Sequence, residues 1–405
     1  MKKERKSRGL SVLLPLVAFL FVLGFSQNAH AYAWMLQHGY TACSTCHADP
    51  SGGELLTPYG RVTSDLLLRM HYGAPAKDDP PPSPGVFWGA WEPPEPLLVS
   101  GSYRNLYVIR PDQPGREVAL VPVMQADLYG QLRLGKFRLG GSIGLSKVTA
   151  GSPHARAAQV TAGQGNELNL IARNYYAGYQ FSSEFLLRAG RLNLPFGVRM
   201  PEHNVWVREA TRTDRESDQQ HGLALAYVGE HMRGELMGIG GNYQLGPDQF
   251  RERGYSGYVE GIANSHLAAG ISSKVTFAEV DRLTYEANTL RQAHGLTLRA
   301  APFDNLSLLA EVNALFRTNA DAGYVGFAQV NYEAIQGFHV LLTGEVLDQG
   351  LGQSALVTST GYGEPNLGGW LSLDWFFFKQ LEFRTDLITR TTDKFTLIGQ
   401  LHFYL

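Results

Sequence analysis

From Leu97 to Leu405, apolar and polar positions alternate in segments of about ten residues separated by turns. That is the period of an extended strand whose side chains point in turn to opposite faces. In Leu381 to Arg390, Leu381, Phe383 and Leu387 share one face and Glu382, Arg384, Asp386 and Arg390 the other. The last segment repeats the pattern, with Phe395, Leu397, Leu401, Phe403 and Leu405 opposed to Thr396, Gln400, His402 and Tyr404. The same period recurs between Leu306 and Arg317. The connections fall into two classes that take turns. Gly135-Lys136, Ser182-Ser183, Glu230-His231, Ala301-Pro302-Phe303 and Lys379-Gln380 read as tight turns. Arg110 to Arg116, Thr149 to Gly165, Pro195 to Asp218, Gln244 to Glu252 and Gly350 to Pro365 read as long loops. This predicts a mainly β chain, an up-and-down transmembrane β-barrel of about 16 antiparallel strands over 97–405, with both ends in the periplasm. A soluble sandwich also alternates, but its Greek-key connections are irregular in length.

Composition agrees with a barrel in lipid: charged residues are only 18%, with 45 glycines, 19 tyrosines and 20 phenylalanines. The formal net charge of −2 offers no basic face for nucleic acid. No glycine-rich phosphate loop, metalloprotease helix or nucleophile elbow is present, so hydrolytic chemistry has no support. The N-terminus reads as a secretory signal over residues 1–31. Lys2, Lys3, Arg5, Lys6 and Arg8 precede an apolar Leu10 to Phe25 and an Ala29-His30-Ala31 cleavage site, so the mature chain is expected to start at Tyr32. These features place the barrel in a bacterial outer membrane.

Between signal and barrel lie two further regions. Residues 73–96 are proline-rich, with Pro80-Pro81-Pro82 and Pro93-Pro94-Glu95-Pro96, and read as a stiff spacer. Residues 32–72 hold a glycine turn at Gly52-Gly53, a candidate helix from Pro58 to His71, and Cys43-Ser44-Thr45-Cys46-His47. A C-x-x-C-H run is the attachment pattern of a c-type haem. Two thiols add across the vinyl groups of one porphyrin, and the adjacent imidazole ligates the iron. Cys43, Cys46 and His47 are therefore the candidate cofactor-binding residues, with His47 also a metal ligand. A Cys43–Cys46 disulfide and half of a zinc site are the competing readings; zinc needs two further ligands, and the chain has no third cysteine. A segment of about 40 residues buries little core by itself, so it is expected to plug the barrel lumen, with one haem c or the wall supplying apolar contacts.

The second axial ligand has several candidates: Met35 and His38 before the motif, Met70 and His71 after it, and Met200 and His203 in the long loop. Met70 is the favoured one, as a methionine downstream of the haem motif. Gly190 to Arg215 carries many charges and reads either as a solvated external loop or as one folded into the lumen. At least one of Arg188 and Arg191 is expected to face the lumen.

With these residues in view, the chain resembles the fused outer-membrane cytochrome-porin family, in which one N-terminal c-type haem is joined to a barrel of about sixteen strands. The likeness covers the signal, Cys43 to His47, the spacer and the barrel period. It implies thioether links at Cys43 and Cys46, proximal ligation by His47, and electron transfer across the outer membrane. The best-known branch oxidises extracellular ferrous iron, which implies Fe(II) outside and a periplasmic electron carrier inside as partners. The stretch Cys43 to Arg61 is also similar to haem segments heading other barrel proteins whose substrates need not be iron. Electron export to an external acceptor and a solute porin with a haem-stabilised plug are the alternatives. Glu382 and Asp386, if lumenal, are candidate attractors of ferrous ion.

Overall fold

The computed structural model describes residues 33–50, 52–70, 83–113, 116–147, 158–161, 163, 167–202, 204–215, 217–242, 251–281, 284–350, 365–391 and 395–405. The signal, His71, His203, residues 73–82 and most of three expected long loops lie outside these residues.

Among the described residues, eighteen strand segments form one sheet. They are β1 (Leu97–Gln113), β2 (Arg116–Leu120), β3 (Val123–Leu134), β4 (Phe137–Lys147), β5 (Leu168–Ile171) and β6 (Tyr175–Gln180). Next come β7 (Phe185–Leu192), β8 (Gln220–Val228), β9 (Met232–Gly241), β10 (Glu252–Asn264), β11 (Leu267–Val280) and β12 (Ala287–Phe303). The chain finishes with β13 (Leu306–Arg317), β14 (Gly323–Ile335), β15 (Phe338–Asp348), β16 (Asn366–Phe378), β17 (Leu381–Arg390) and β18 (Thr396–Tyr404). Each is antiparallel to its neighbours, and β1 closes the barrel on β18 through a register running from Ser102↔Tyr404 to Ile109↔Leu397.

Sixteen staves make the barrel, because two of them are interrupted. β2 and β3 both pair with β1, and β5 and β6 both pair with β4. The first break falls at Val121-Pro122, where proline has no N–H to donate to the ladder. At the second, the N–H groups of Arg173 and Asn174 leave the ladder and donate to Ser142 Oγ at 3.0 and 3.1 Å.

The alternation falls as its chemistry requires. On β17, Phe383 and Leu387 are 43% and 38% exposed on the outer surface, while Glu382, Arg384 and Asp386 are 8%, 5% and 7% exposed within. Outside, Leu128, Ile143, Leu223, Val259, Ile271, Leu296 and Leu342 are all exposed. Phe137, Phe181, Phe303 and Phe378 ring the tight-turn end, and Tyr107, Tyr255, Phe316 and Tyr324 lie toward the other. A closed barrel satisfies every ladder within the sheet, and an apolar outer band between aromatic girdles is the surface of a protein spanning an outer membrane.

Two connections differ from expectation. β12 runs through Ala301, Pro302 and Phe303, with the register shifting between Ala300 and Phe303, so the proline sits at a strand irregularity and the chain reverses beyond it. Arg110 to Gln113, read as loop, continue β1 and pair with β2.

The lumen is filled from both ends. Residues 33–70 form a plug at the tight-turn end. Its helix α1 (Pro58–Leu67) starts with proline in the first turn and Thr57 accepting from Gly60 N at 3.0 Å. Gln336 Nε2 donates to the carbonyls of Leu66 and Arg69 at 2.7 and 3.1 Å, and Lys379 pairs with Asp65 at 3.2 Å. The Trp88 indole, from residues 83–96, donates to Lys379 O at 3.0 Å, so this segment is anchored at the rim.

Pro195 to Asp218, between β7 and β8, is not a solvated loop: its described residues turn inward. Helix α2 (Trp206–Thr211) buries Trp206 and Val207 with Phe196, Val198 and Met200 against inward-facing Val325, Phe327 and Trp370. Its polar groups are bound to the wall. Trp206 N donates to Glu345 at 2.9 Å, Arg208 binds Glu311, Arg212 pairs with Glu252 at 2.9 Å and Lys274 donates to Thr211 O at 3.0 Å.

Candidate functional site

The cysteine-histidine motif sits in the plug on a 3-10 turn, Cys43–Thr45. His47 N and Cys46 N both donate to Cys43 O, at 3.0 and 3.2 Å, which draws the two cysteines to one side of the turn. Thr57 N then donates to Cys46 O at 2.8 Å, and His47 bridges to Leu56, so the chain after the glycine turn folds back over the motif. That reversal needs glycine. Gly52 and Gly53 have φ of +89° and +93°, and a Cβ on Gly52 would lie 2.9 Å from Cys43 Cβ.

The barrel wall holds the motif from outside. Arg233 on β9 donates to Cys43 Sγ at 3.3 Å and binds Glu260, which also pairs with Arg299 at 2.7 Å; Arg299 donates to Thr41 O at 2.8 Å. Arg188 on β7 pairs with Asp49, two residues beyond the motif, at 3.0 Å and with Glu235 at 2.5 Å. Both Arg188 and Arg191 are buried inside the barrel, and Arg191 donates to Ala172 O at 2.9 Å. Buried arginines persist only when paired in this way.

Cys43, Cys46 and His47 line one cavity between plug, wall and inward loop. Met35, Leu68 and Phe376 add apolar surface, and Arg104, Gln125, Glu382 and His402 add polar surface from the strands. The two thiols are 5% and 6% exposed and are not joined to each other. Burial, with Cys43 adding to it, pushes the Cys46 thiol up to about 12. Burial also brings His47 down to about 4, helped by Arg215 and opposed by Asp49 and a hydrogen bond with the Gly53 backbone. The imidazole is therefore neutral, and its Nδ1 is buried without a hydrogen-bond partner. No cluster of three or more His, Cys, Asp or Glu side chains suited to a metal ion occurs among the described residues.

These residues fit a c-type haem. Two thiols and a neutral imidazole line one cavity with mixed apolar and polar walls, and the glycine at Gly52 leaves room for the Cys43 side chain.

Of the proposed distal ligands, Met35 and Met200 line this cavity. Met70 does not; its Sδ accepts from Trp375 Nε1 at 3.3 Å. His38 pairs with Glu333 at 3.0 Å. Glu382 and Asp386 are lumenal as alternation predicts, but both are engaged, Glu382 by His402 Nδ1 and Asp386 by Arg384, each at 2.8 Å. Arg233, Arg104 and His402 also border the site, at inward strand positions that the alternation alone marks as lumenal.

No protein-family model matches the chain, and no curated protein matches it. Solved structures do. OmpT of Vibrio cholerae superposes with a TM-score of 0.54 at 10% identity, covering 78% of this chain and 99% of that one. The fold is porin-like. An anion-selective porin from Comamonas acidovorans gives 0.51 at 12% identity over 76% and 99% of the chains, and Salmonella typhi OmpF gives 0.51 at 10% over 76% and 97%. At such identities the likeness concerns the barrel architecture.

Proposed function

We propose that this chain carries electrons across the outer membrane through one haem c attached at Cys43 and Cys46, ligated by His47 and enclosed in the barrel. The observation that carries the reading is that all three motif residues open onto one cavity inside the lumen. When bound, the haem supplies a reversible one-electron centre. The chain does the rest. Cys43 and Cys46 fix the orientation, burial keeps His47 unprotonated and able to ligate, and the salt-bridged wall holds the plug in place. Fe(II) oxidation outside, with transfer to a periplasmic carrier, is the first specific reading; electron export to an external acceptor uses the same site.

A solute porin with a haem-stabilised plug is the second reading, favoured by the porin-like fold. Against it stand α2 and the plug, which occupy the lumen from opposite ends. Sealed proteoliposomes, with Fe(II) outside and an impermeant acceptor dye inside, separate the two. Dye reduction that depends on Cys43 and Cys46, without iron leakage, supports the conduit. Leakage without dye reduction supports the pore.

A further inference from the structure

The cavity has two kinds of wall. On the tight-turn side is the plug, which carries His47 and is fastened to the turns by Gln336 and Lys379. Across from it is the inward loop, whose contacts with Glu311, Glu345, Glu252 and Arg390 place it in the long-loop half of the barrel. Three consecutive loop residues, Arg199, Met200 and Pro201, line the cavity. Axial ligands of a haem iron lie on opposite faces of the ring, so a partner for His47 belongs on the wall opposite the plug.

We infer that Met200, on the inward-folded loop, supplies the sixth ligand to the iron, so that the redox centre is assembled from plug and loop together. The inference rests on the haem reading above. Met35 is the other methionine lining the cavity, but it belongs to the plug, on the same side as His47. Met70 is turned away, toward Trp375. Met200 is buried, its thioether is a soft donor suited to haem iron, and Met/His ligation raises the potential of a c-type centre. The loop is held by ion pairs to the wall, which keeps such a ligand in place without any contribution from sequence proximity to the motif.

The test uses the full-length holoprotein and spectra rather than turnover. Wild type and Met200→Leu, Met35→Leu and Met70→Leu are compared by the far-red sulfur-to-iron band of the oxidised protein and by carbon monoxide uptake of the reduced protein. Leucine keeps apolar volume, and heat-modifiable gel mobility reports whether each barrel is folded. The expected result is loss of the band, gain of carbon monoxide binding and a lowered midpoint potential in Met200→Leu alone. Should Met200→Leu misfold, Met200→His in its place should replace the sulfur band with a bis-imidazole spectrum. A band that persists without Met200, or disappears with Met35 or Met70 instead, overturns the assignment, as does a wild-type spectrum with no sulfur band. Absence of covalent haem stain in the wild-type chain overturns the haem reading itself.

Discussion

Arg233 Nη1 lies 3.3 Å from the sulfur of Cys43, joining a barrel strand to the first residue of the motif across 190 positions of sequence. The same guanidinium binds Glu260, whose carboxylate Arg299 also holds. Arg233→Met leaves Glu260 with one arginine and Cys43 without its hold on the wall. Glu260 keeps Arg299, so the loss is that of the hydrogen bonds from a charged donor, about 1.5–3 kcal/mol. The folded barrel should therefore convert to its unfolded gel mobility at a lower temperature than wild type. An unchanged conversion temperature means the link contributes nothing to the plug's seating.

Covalent attachment has its own signature. Cys43→Ala and Cys46→Ala should each retain one thioether, with a red-shifted pyridine haemochrome. The double variant should lose haem stain on a denaturing gel while keeping its heat-modifiable barrel, since the sheet closes through β1 and β18 without the motif.

The inward loop is fastened at Glu311, which binds Arg208 and accepts from Val198 N at 2.8 Å. Glu311→Ala releases both. In planar bilayers the wild-type protein should pass little current, and the variant should pass several-fold more. Equal conductance would mean that the loop does not obstruct the pore.

Gly52→Val puts a branched Cβ at a φ of +89°, against Cys43. Backbone strain of this kind costs on the order of 1–3 kcal/mol. The variant should show a sharply reduced yield of covalent haem. Gly135→Asn at a tight turn, with φ of +58° and nothing near its Cβ position, should leave the yield unchanged.

Barrel and site were unequally legible in the sequence. β13 and β17 follow their alternation because lipid and lumen impose opposite chemistry on successive residues, which is a local rule. The rule is blind to backbone irregularity, so Pro302 reads as a turn although it sits at the shifted register of β12. It also misleads where the interior is polar: the charges of Arg208 and Arg212 suggest solvent, yet each meets a buried carboxylate from a distant strand. Cys43, Cys46 and His47 are legible in the sequence because a haem-attachment pattern has a fixed spacing. A distal ligand has no such spacing. Met70 follows the motif closely and Met200 lies far along the chain, but which of them faces the cavity is decided by how α1 and the inward loop seat in the barrel.

The burial of the two thiols constrains the order of biogenesis. At 5% and 6% exposure, inside a sheet already zipped from Ser102 to Ile109 along its seam, they are beyond the reach of any enzyme that would thread a macrocycle onto them. On the haem attachment proposed above, thioether formation would have to come before the seam closes, on a chain still in transit through the periplasm. Under that proposal, insertion into the membrane becomes the step that would lock the cofactor in.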